Sequence, residues 1–159
     1  MAFHFFAYMN RMKYIRRWGL MRSVMPENDA EHSWHMALMA WLLREYANEA
    51  VDITKVMLMC LIHDIVEIDA GDTYAYDTER LQTQKAREEA AKQRIFSILP
   101  TEQAAELMAL FDEFEAYETA ESKFAHAMDN LQPLLLNKQK QLKQLQKKQL
   151  KLSFLLKVH

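Results

Sequence analysis

Apolar residues recur at helical spacing along most of the chain. Between residues 29 and 48, Met36, Met39 and Leu43 fall three or four residues apart on one stripe, which predicts an amphipathic helix. Similar stripes elsewhere end at glycine, proline or clusters of polar residues. We therefore predict an all-α bundle of about six helices, over residues 3–17, 29–48, 53–68, 79–99, 101–117 and 119–137.

Several of these helices carry recognisable boundary signals. Asn28 and Glu31 have the spacing of a capping box, in which each side chain bonds the backbone N–H of the other residue. Asp52 is expected to cap the helix over 53–68, and Thr101 the helix over 101–117. Pro133 falls inside the last predicted helix and is expected to bend or break it.

Composition agrees with a helical domain. The chain has 159 residues, enough for one domain with a real core, and only two glycines and three prolines interrupt it. Its single cysteine, Cys60, can form no internal disulfide and is interpreted as a buried, inert thiol, which favours a cytoplasmic location. We find no basic leader and no uncharged run near the roughly 18 to 20 residues of a membrane span.

Charge divides the chain into two parts. Residues 138–159 contain seven lysines and no acid, so the other 13 basic residues face all 22 acidic ones. We expect a domain over 1–137 and a tail over 138–159, helical or disordered, whose leucine stripe is too short to favour a coiled coil. An acidic body argues against a nucleic acid polymer as partner.

The chemistry centres on His63 and Asp64, which stand inside an apolar run. Burying an imidazole and a carboxylate is costly unless both are satisfied, and a divalent metal satisfies both. Glu67 is one helical turn after His63, while His32 and Asp129 on other helices could complete a site inside the bundle. From the residues alone, a metal site and a satisfied buried pair are about equally supported.

Two further histidines compete for roles in such a site. His35 is three residues after His32, and His126 is three residues before Asp129. Histidines at this spacing are common in cores and on surfaces, so we do not expect His32 and His35 to bind a metal as a pair. We favour Asp129 as the ligand and His126 as its neighbour.

The ordered pattern of these residues resembles the HD superfamily of metal-dependent phosphohydrolases, and in detail its bacterial 5′-deoxynucleotidase branch. The resemblance covers about residues 3–137 and implies an HD-domain helical bundle. The matching stretches are Arg17-Trp18, Leu20-Met21-Arg22, Glu27–Ser33, His63–Glu67, Gly71-Asp72-Thr73 and Ala127–Leu134.

The resemblance implies an enzyme that releases phosphate from a small nucleotide, with a deoxyribonucleoside 5′-monophosphate favoured, by attack of metal-bound hydroxide. One divalent ion (Mn, Co, Zn, Fe or Ni rather than Mg) would be held by His32, His63, Asp64 and Asp129. Alternatives are an HD phosphohydrolase for another phosphomonoester or a nucleotide polyphosphate, and a non-catalytic nucleotide-binding HD module. A homodimer is a possible assembly.

The same resemblance assigns catalytic and substrate-binding residues. Glu67 would orient the attacking water, and Asp72 would act with it and lie near the sugar. Arg17, Trp18, Asp72 and Thr73 would contact the substrate, with the guanidinium group of Arg17 on the phosphate. Simpler roles are open for these four residues: a solvated arginine, a core aromatic residue, and turn residues after Gly71.

Two features depart from the family pattern. Relatives continue with further helical residues where this chain enters its tail, and Asn130 stands where a basic residue is common. We therefore expect residues 138–159 to have no family counterpart and to replace the original C-terminal segment.

Overall fold

The computed structural model describes residues 12, 27–71 and 78–155, and this part of the chain forms an α-helical bundle. The prediction of an all-α fold is confirmed. The first predicted helix, over residues 3–17, lies outside the described residues except for Met12. The described α-helices are α1 (Asp29–Leu43), α2 (Ile53–Ile62), α3 (Glu67–Ala70), α4 (Thr78–Phe96), α5 (Thr101–Ala116) and α6 (Ala120–Leu155).

Helix α2 lies at the centre of the bundle, in contact with α1, α5 and α6. Val56, Met59 and Cys60 on α2 are completely buried. Met36 from α1 and Ala125 from α6 join them in the core. Each large apolar side chain buried in this way contributes about 1.5–3 kcal/mol. The helices that carry the polar residues of interest are therefore fixed against one another by the core.

The predicted caps of α1 and α2 are present. Asn28 Oδ1 accepts a hydrogen bond from the backbone N–H of Glu31, and Glu31 Oε2 accepts one from that of Asn28, both at 3.0 Å. Asp52 Oδ1 accepts from the backbone N–H groups of Thr54 and Lys55 at 2.9 and 3.2 Å. The N-terminal ends of α1 and α2 are thus anchored by local hydrogen bonds.

The expected cap at Thr101 is wrong. Thr101 is the first residue of α5, and Pro100 occupies the N-cap position without a side-chain hydrogen bond. The extended backbone of Pro100 (φ −55°, ψ 148°) already places the chain for helix entry. At the other end, Tyr117 adopts the left-handed conformation with φ 56° and stops the helix.

The predicted helix over 53–68 changes pitch in the middle. Helix α2 ends at Ile62, the chain tightens into a 3-10 turn over His63–Val66, and α3 follows. A 3-10 turn has about three residues per turn, so side chains three apart lie above one another. His63 and Glu67 therefore do not share the face of an unbroken α-helix. Gly71 ends α3 with φ 73°, a conformation that glycine adopts at low cost.

Helix α6 is longer than predicted. It continues through Pro133 and past residue 137 to Leu155, so residues 138–155 are helical. Pro133 has no N–H and leaves the carbonyl of Asp129 without its usual helical partner, yet packing against α1 and α2 keeps the first half of α6 in place. None of the helices among the described residues combines the length and apolar character needed to cross a bilayer.

Candidate metal centre

Three potential metal ligands converge inside the bundle. They are His32 from α1, His63 from the 3-10 turn and Asp129 from α6, and one donor atom of each lies within 4.8 Å of the others. Two ligands bonded to one ion at about 2.1 Å lie at most about 4.2 Å apart, so this spacing is close to that of a metal site. Residues up to 97 positions apart in the sequence thus meet at one point.

His32 is completely buried and is held at both ring nitrogens. Nδ1 lies 3.2 Å from Gln132 Oε1, and Nε2 lies 2.9 Å from Asp129 Oδ1. The amide oxygen of Gln132 can only accept, so the proton of a neutral His32 is on Nδ1. The unprotonated Nε2 and the carboxylate oxygen then face each other as two acceptors, a contact that requires a shared cation or a second proton.

His63 repeats this arrangement with local partners. Its Nδ1 donates to the backbone carbonyl of Cys60 at 2.9 Å, so Nε2 carries the lone pair of the neutral ring. Asp64 Oδ1 lies 3.0 Å from Nε2. Within the described residues, however, no hydrogen bond of acceptable geometry reaches Nε2. The contact with Asp64 is therefore short but poorly aligned, which makes it a weak bond. A buried nitrogen of this kind suits a metal ion.

Asp129 is present as the carboxylate. Burial raises the pKa of the Asp129 carboxyl, but its contact with His32 and the charges that His63 and His32 carry when protonated outweigh it, despite the negative charge of Asp64. The pKa therefore lies below its usual value. A carboxylate beside two imidazoles is a donor set that suits Zn, Mn, Fe or Co, so the residues present fit a divalent transition ion.

Asp64 and Glu67 lie beside this group. Asp64 is buried and contacts His63, but it does not belong to the three residues whose donor atoms converge within 4.8 Å. Glu67 begins the short helix α3, which α4 holds through hydrogen bonds from Arg87 to the Ala70 carbonyl and from Arg94 to Asp69. Asp64 as a ligand and Glu67 as a catalytic residue stay predictions.

His35 and His126 have other partners. His35 Nδ1 lies 3.1 Å from Gln132 Nε2, whereas His32 contacts the other amide atom, Oε1. His126 Nε2 donates to the carbonyl of Phe114 at 3.0 Å, and its ring stacks on that of Phe114 with centroids 4.0 Å apart. His126 thus satisfies a carbonyl at the C-terminal end of α5.

Cys60 has the inert character expected of it. Its side chain is completely buried, and burial, with the nearby negative charge of Asp129, raises the pKa of the thiol to about 12. The thiol stays protonated at neutral pH and is a poor nucleophile or ligand. Only the backbone carbonyl of Cys60 contributes to the centre, through its bond with His63.

Sequence reasoning missed two residues next to the centre, Glu27 and Gln132. Gln132 is completely buried and donates from Nε2 to Glu27 Oε1 at 2.6 Å. Burial raises the pKa of the Glu27 carboxyl, but the nearby His32 ring, 3.7 Å away, and the hydrogen bond from Gln132 outweigh it, so the pKa lies below its usual value. The available signal was the position of Gln132, one helical turn after Asp129.

The four predicted substrate-binding residues lie outside the part of the chain that the structure describes. They are Arg17, Trp18, Asp72 and Thr73, so the predicted contacts with phosphate, base and sugar stay predictions.

The chain belongs to the HD domain family, whose model matches residues 9–159. The resemblance to HD-superfamily phosphohydrolases is thereby confirmed. The matched range includes residues 138–159, for which the sequence alone had indicated no family counterpart. The domain boundary at residue 137 stays a prediction.

Two relatives support the assignment to this family. A 5′-deoxynucleotidase of Enterobacter sp. (strain 638) is 34% identical over 123 residues, covering 72% of this chain and 62% of the relative. The 5′-deoxynucleotidase YfbR of Shigella boydii serotype 18 is 33% identical over 136 residues, covering 80% of this chain and 68% of the relative. The chain thus spans about two thirds of the length of these relatives, and less than that for the Enterobacter protein.

Solved structures share the architecture. A predicted metal-dependent phosphohydrolase from Magnetospirillum magnetotacticum MS-1 is 52% identical with a TM-score of 0.78, covering 84% of this chain and 67% of that one. The PH0347 protein from Pyrococcus horikoshii OT3 has a TM-score of 0.73 at 21% identity, with 89% and 79% covered. At that identity the second likeness shows the fold alone.

Proposed function

We propose that this chain is a metal-dependent phosphohydrolase that releases phosphate from a small nucleotide, with deoxyribonucleoside 5′-monophosphates as the preferred class. One observation carries the proposal. At both buried histidines, a ring nitrogen whose partner nitrogen already holds the proton lies about 3 Å from a carboxylate oxygen, at 2.9 Å for His32 and 3.0 Å for His63. One divalent cation would satisfy both contacts. The preferred nucleotide class follows the names of the relatives.

The proposed ligands are His32, His63 and Asp129, with Asp64 as the fourth. A divalent ion held there supplies charge that polarises a phosphoryl oxygen and lowers the pKa of a coordinated water. The buried surroundings strengthen that effect, because electrostatic interactions increase as water is excluded.

Glu67 is the proposed catalytic acid–base residue. It is half-buried at the start of α3, directly after the turn that carries His63 and Asp64. A carboxylate there would orient a water molecule and relay a proton, a contribution of about 10²–10⁴ in rate.

The substrate contacts are proposed for residues outside the described ranges. The planar guanidinium fork of Arg17 suits a phosphate, Trp18 would shape the nucleotide pocket, and Asp72 and Thr73 would lie at the sugar. Asp72 is also proposed to act with Glu67. A cytoplasmic location and a possible homodimer stay predictions.

The test begins with protein purified without chelators. We expect elemental analysis to find about one transition ion per chain. Phosphate release is then measured on matched deoxy- and ribonucleoside 5′- and 3′-monophosphates and on nucleoside triphosphates, with added Mn, Co, Zn or Mg. Faster release from deoxyribonucleoside 5′-monophosphates supports the proposal.

Other outcomes point elsewhere. Preferential hydrolysis of a triphosphate or of a different phosphomonoester would replace the substrate class and keep the enzyme class. Metal binding without turnover on any substrate would favour a non-catalytic nucleotide-binding module. Failure to bind any of the four metals after reconstitution would contradict the proposal as a whole.

A further inference from the structure

We propose that Gln132 is a positioning residue: held by Glu27, its amide fixes the tautomer of His32 and so directs the lone pair of His32 Nε2 at the metal centre. This inference rests on the proposed metal centre, because it explains how one of the ligands of that centre is prepared. It concerns residues for which neither the motif nor the family resemblance suggested a role.

The orientation of the Gln132 amide is set by Glu27. Gln132 has one donor end and one acceptor end, and the group 2.6 Å from its Nε2 is the Glu27 carboxylate, which can only accept. The NH₂ group must therefore face Glu27, and Oε1 must face His32 Nδ1 at 3.2 Å. The second N–H of the same NH₂ group faces His35 Nδ1 at 3.1 Å.

This orientation decides where the proton of His32 lies. Because Gln132 Oε1 only accepts, His32 Nδ1 must donate, and Nε2 of the neutral ring then has a lone pair directed at Asp129. In the opposite tautomer, Nε2 would donate its proton to Asp129 Oδ1, 2.9 Å away. That hydrogen bond would use the two atoms that are proposed to bind the ion, so the tautomer determines whether the pair is ready for a metal.

Burial keeps water away from this contact. Gln132 and His32 are both completely buried, so water cannot replace the amide oxygen as the acceptor for His32 Nδ1. Glu27 Oε2 lies 3.7 Å from Nδ1, which is beyond hydrogen-bond distance. The amide of Gln132 uses both of its donors and its acceptor.

A purely structural role must be separated from this one. Gln132 lies on α6 and Glu27 lies just before α1, 105 residues away, so their hydrogen bond also joins two elements of the bundle. A role in joining these elements alone predicts that Gln132 variants change stability and leave the tautomer of His32 unchanged. The state of His32 is therefore the decisive measurement.

The first experiment is long-range ¹H–¹⁵N NMR of the histidine rings in metal-free protein, which reports which ring nitrogen carries a proton. We expect a protonated Nδ1 on His32 in the parent protein and an unprotonated Nδ1, with the proton on Nε2, in Gln132→Met. Gln132→Glu should keep Nδ1 protonated, because a protonated carboxyl group can donate to Glu27 and still accept from His32. Gln103→Met, an exposed glutamine on α5, is the matched control and should leave His32 unchanged.

The second experiment measures Co²⁺ affinity by its absorption spectrum. Partners of metal-bound histidines typically contribute 10–100-fold to affinity, so Gln132→Met should bind about 10–100-fold more weakly and Gln132→Glu should recover most of that loss. A protonated Nδ1 in Gln132→Met, or an unprotonated Nδ1 in Gln132→Glu, would overturn the inference. The tautomer result is independent of turnover, so an inactive parent protein would contradict the proposed function and leave this inference standing.

Discussion

His32 is held by side chains that come from far along the chain, whereas His63 is held by the backbone of the helix that directly precedes it. The partner of His32 Nδ1 is Gln132, 100 residues away, and that of His63 Nδ1 is the carbonyl of Cys60, three residues away. Both contacts have the same result, because each uses an acceptor to keep the proton on Nδ1 and leaves Nε2 for a metal. The centre can thus be divided into a His32 half, with Asp129 and Gln132, and a His63 half, with Asp64 and Glu67. The two halves differ in what they require of the fold.

The two halves therefore have different vulnerabilities. The His63 half depends on local structure at the end of α2, because its acceptor is the backbone carbonyl of Cys60, which no side-chain substitution removes. The His32 half depends on the packing of α1 against α6, since both Asp129 and Gln132 come from α6. Substitutions on α6 should change His32 and leave the bond between His63 and Cys60 intact.

The largest effect is expected from removing a histidine ligand from either half. His32→Gln and His63→Gln should each lower metal content from about one ion per chain to near zero, and phosphate release should fall by more than the roughly 100-fold typical of outer partners. Elemental analysis and phosphate release measure both effects. His35→Gln is the matched control and should retain its metal; equal metal loss in all three variants would contradict the assignment.

Asp64 tests whether the His63 half supplies a second ligand. If Asp64 binds the ion, Asp64→Asn should lose both metal and activity, because an amide oxygen is a much weaker ligand than a carboxylate for these ions. Metal titration of the purified variant measures this. Retention of the parent affinity would limit Asp64 to a contact with His63.

Glu67 separates chemistry from metal binding within the same half. Glu67→Ala should keep about one ion per chain and lose about 10²–10⁴-fold in kcat, the usual contribution of a positioned acid or base. Steady-state kinetics with the metal-loaded variant measure the loss. A fully active Glu67→Ala protein would show that the assigned role is wrong.

A core substitution under the His63 half should affect stability more than ligand identity. Met59 is completely buried, and its carbonyl accepts the backbone N–H of His63. Met59→Ala should lower the free energy of unfolding by about 2–5 kcal/mol through the lost side chain and the cavity. Urea unfolding of the metal-free protein measures this loss. Met108→Ala, at a half-buried position on α5, is the control and should lose less. An unchanged midpoint in Met59→Ala would mean that the core repacks around the substitution.

The smallest effect is expected at the cap of α1. Asn28→Ala removes one hydrogen bond of the capping box and should cost about 1 kcal/mol of stability. Asp52→Ala at the start of α2 is the matched comparison and should cost about the same. Because the cap precedes His32 by one turn, weaker metal binding in Asn28→Ala alone would show that the His32 half is sensitive to the position of its helix.

Local signals account for what could be predicted. Helical periodicity, the capping box at Asn28 and the cap at Asp52 depend on residues close in sequence, and each is confirmed. The predicted end of this helix at residue 137 was wrong: it followed the change of composition at Lys138, whereas α6 continues to Leu155. Pro133 was expected to bend or break the helix, and it lies inside α6, which packs against α1 and α2. Local propensity does not contain those contacts.

The site shows the same limit. The pitch change at His63–Val66 could not be predicted from apolar spacing, which is compatible with either helical geometry. The network of Glu27, Gln132 and His32 joins residues about 100 positions apart, and its one local signal is that Gln132 follows Asp129 by one helical turn. The predicted ligands could be proposed only because the ordered pattern resembles a known family.

The most direct test of the metal centre is anomalous diffraction from crystals of the protein grown with Mn²⁺ or Co²⁺ and without chelator. We predict one strong anomalous peak from an ion within bonding distance of His32 Nε2, His63 Nε2 and an Asp129 oxygen, with Asp64 as the fourth ligand. A peak elsewhere, or fully ordered side chains at these four residues with no peak between them, would contradict the central claim.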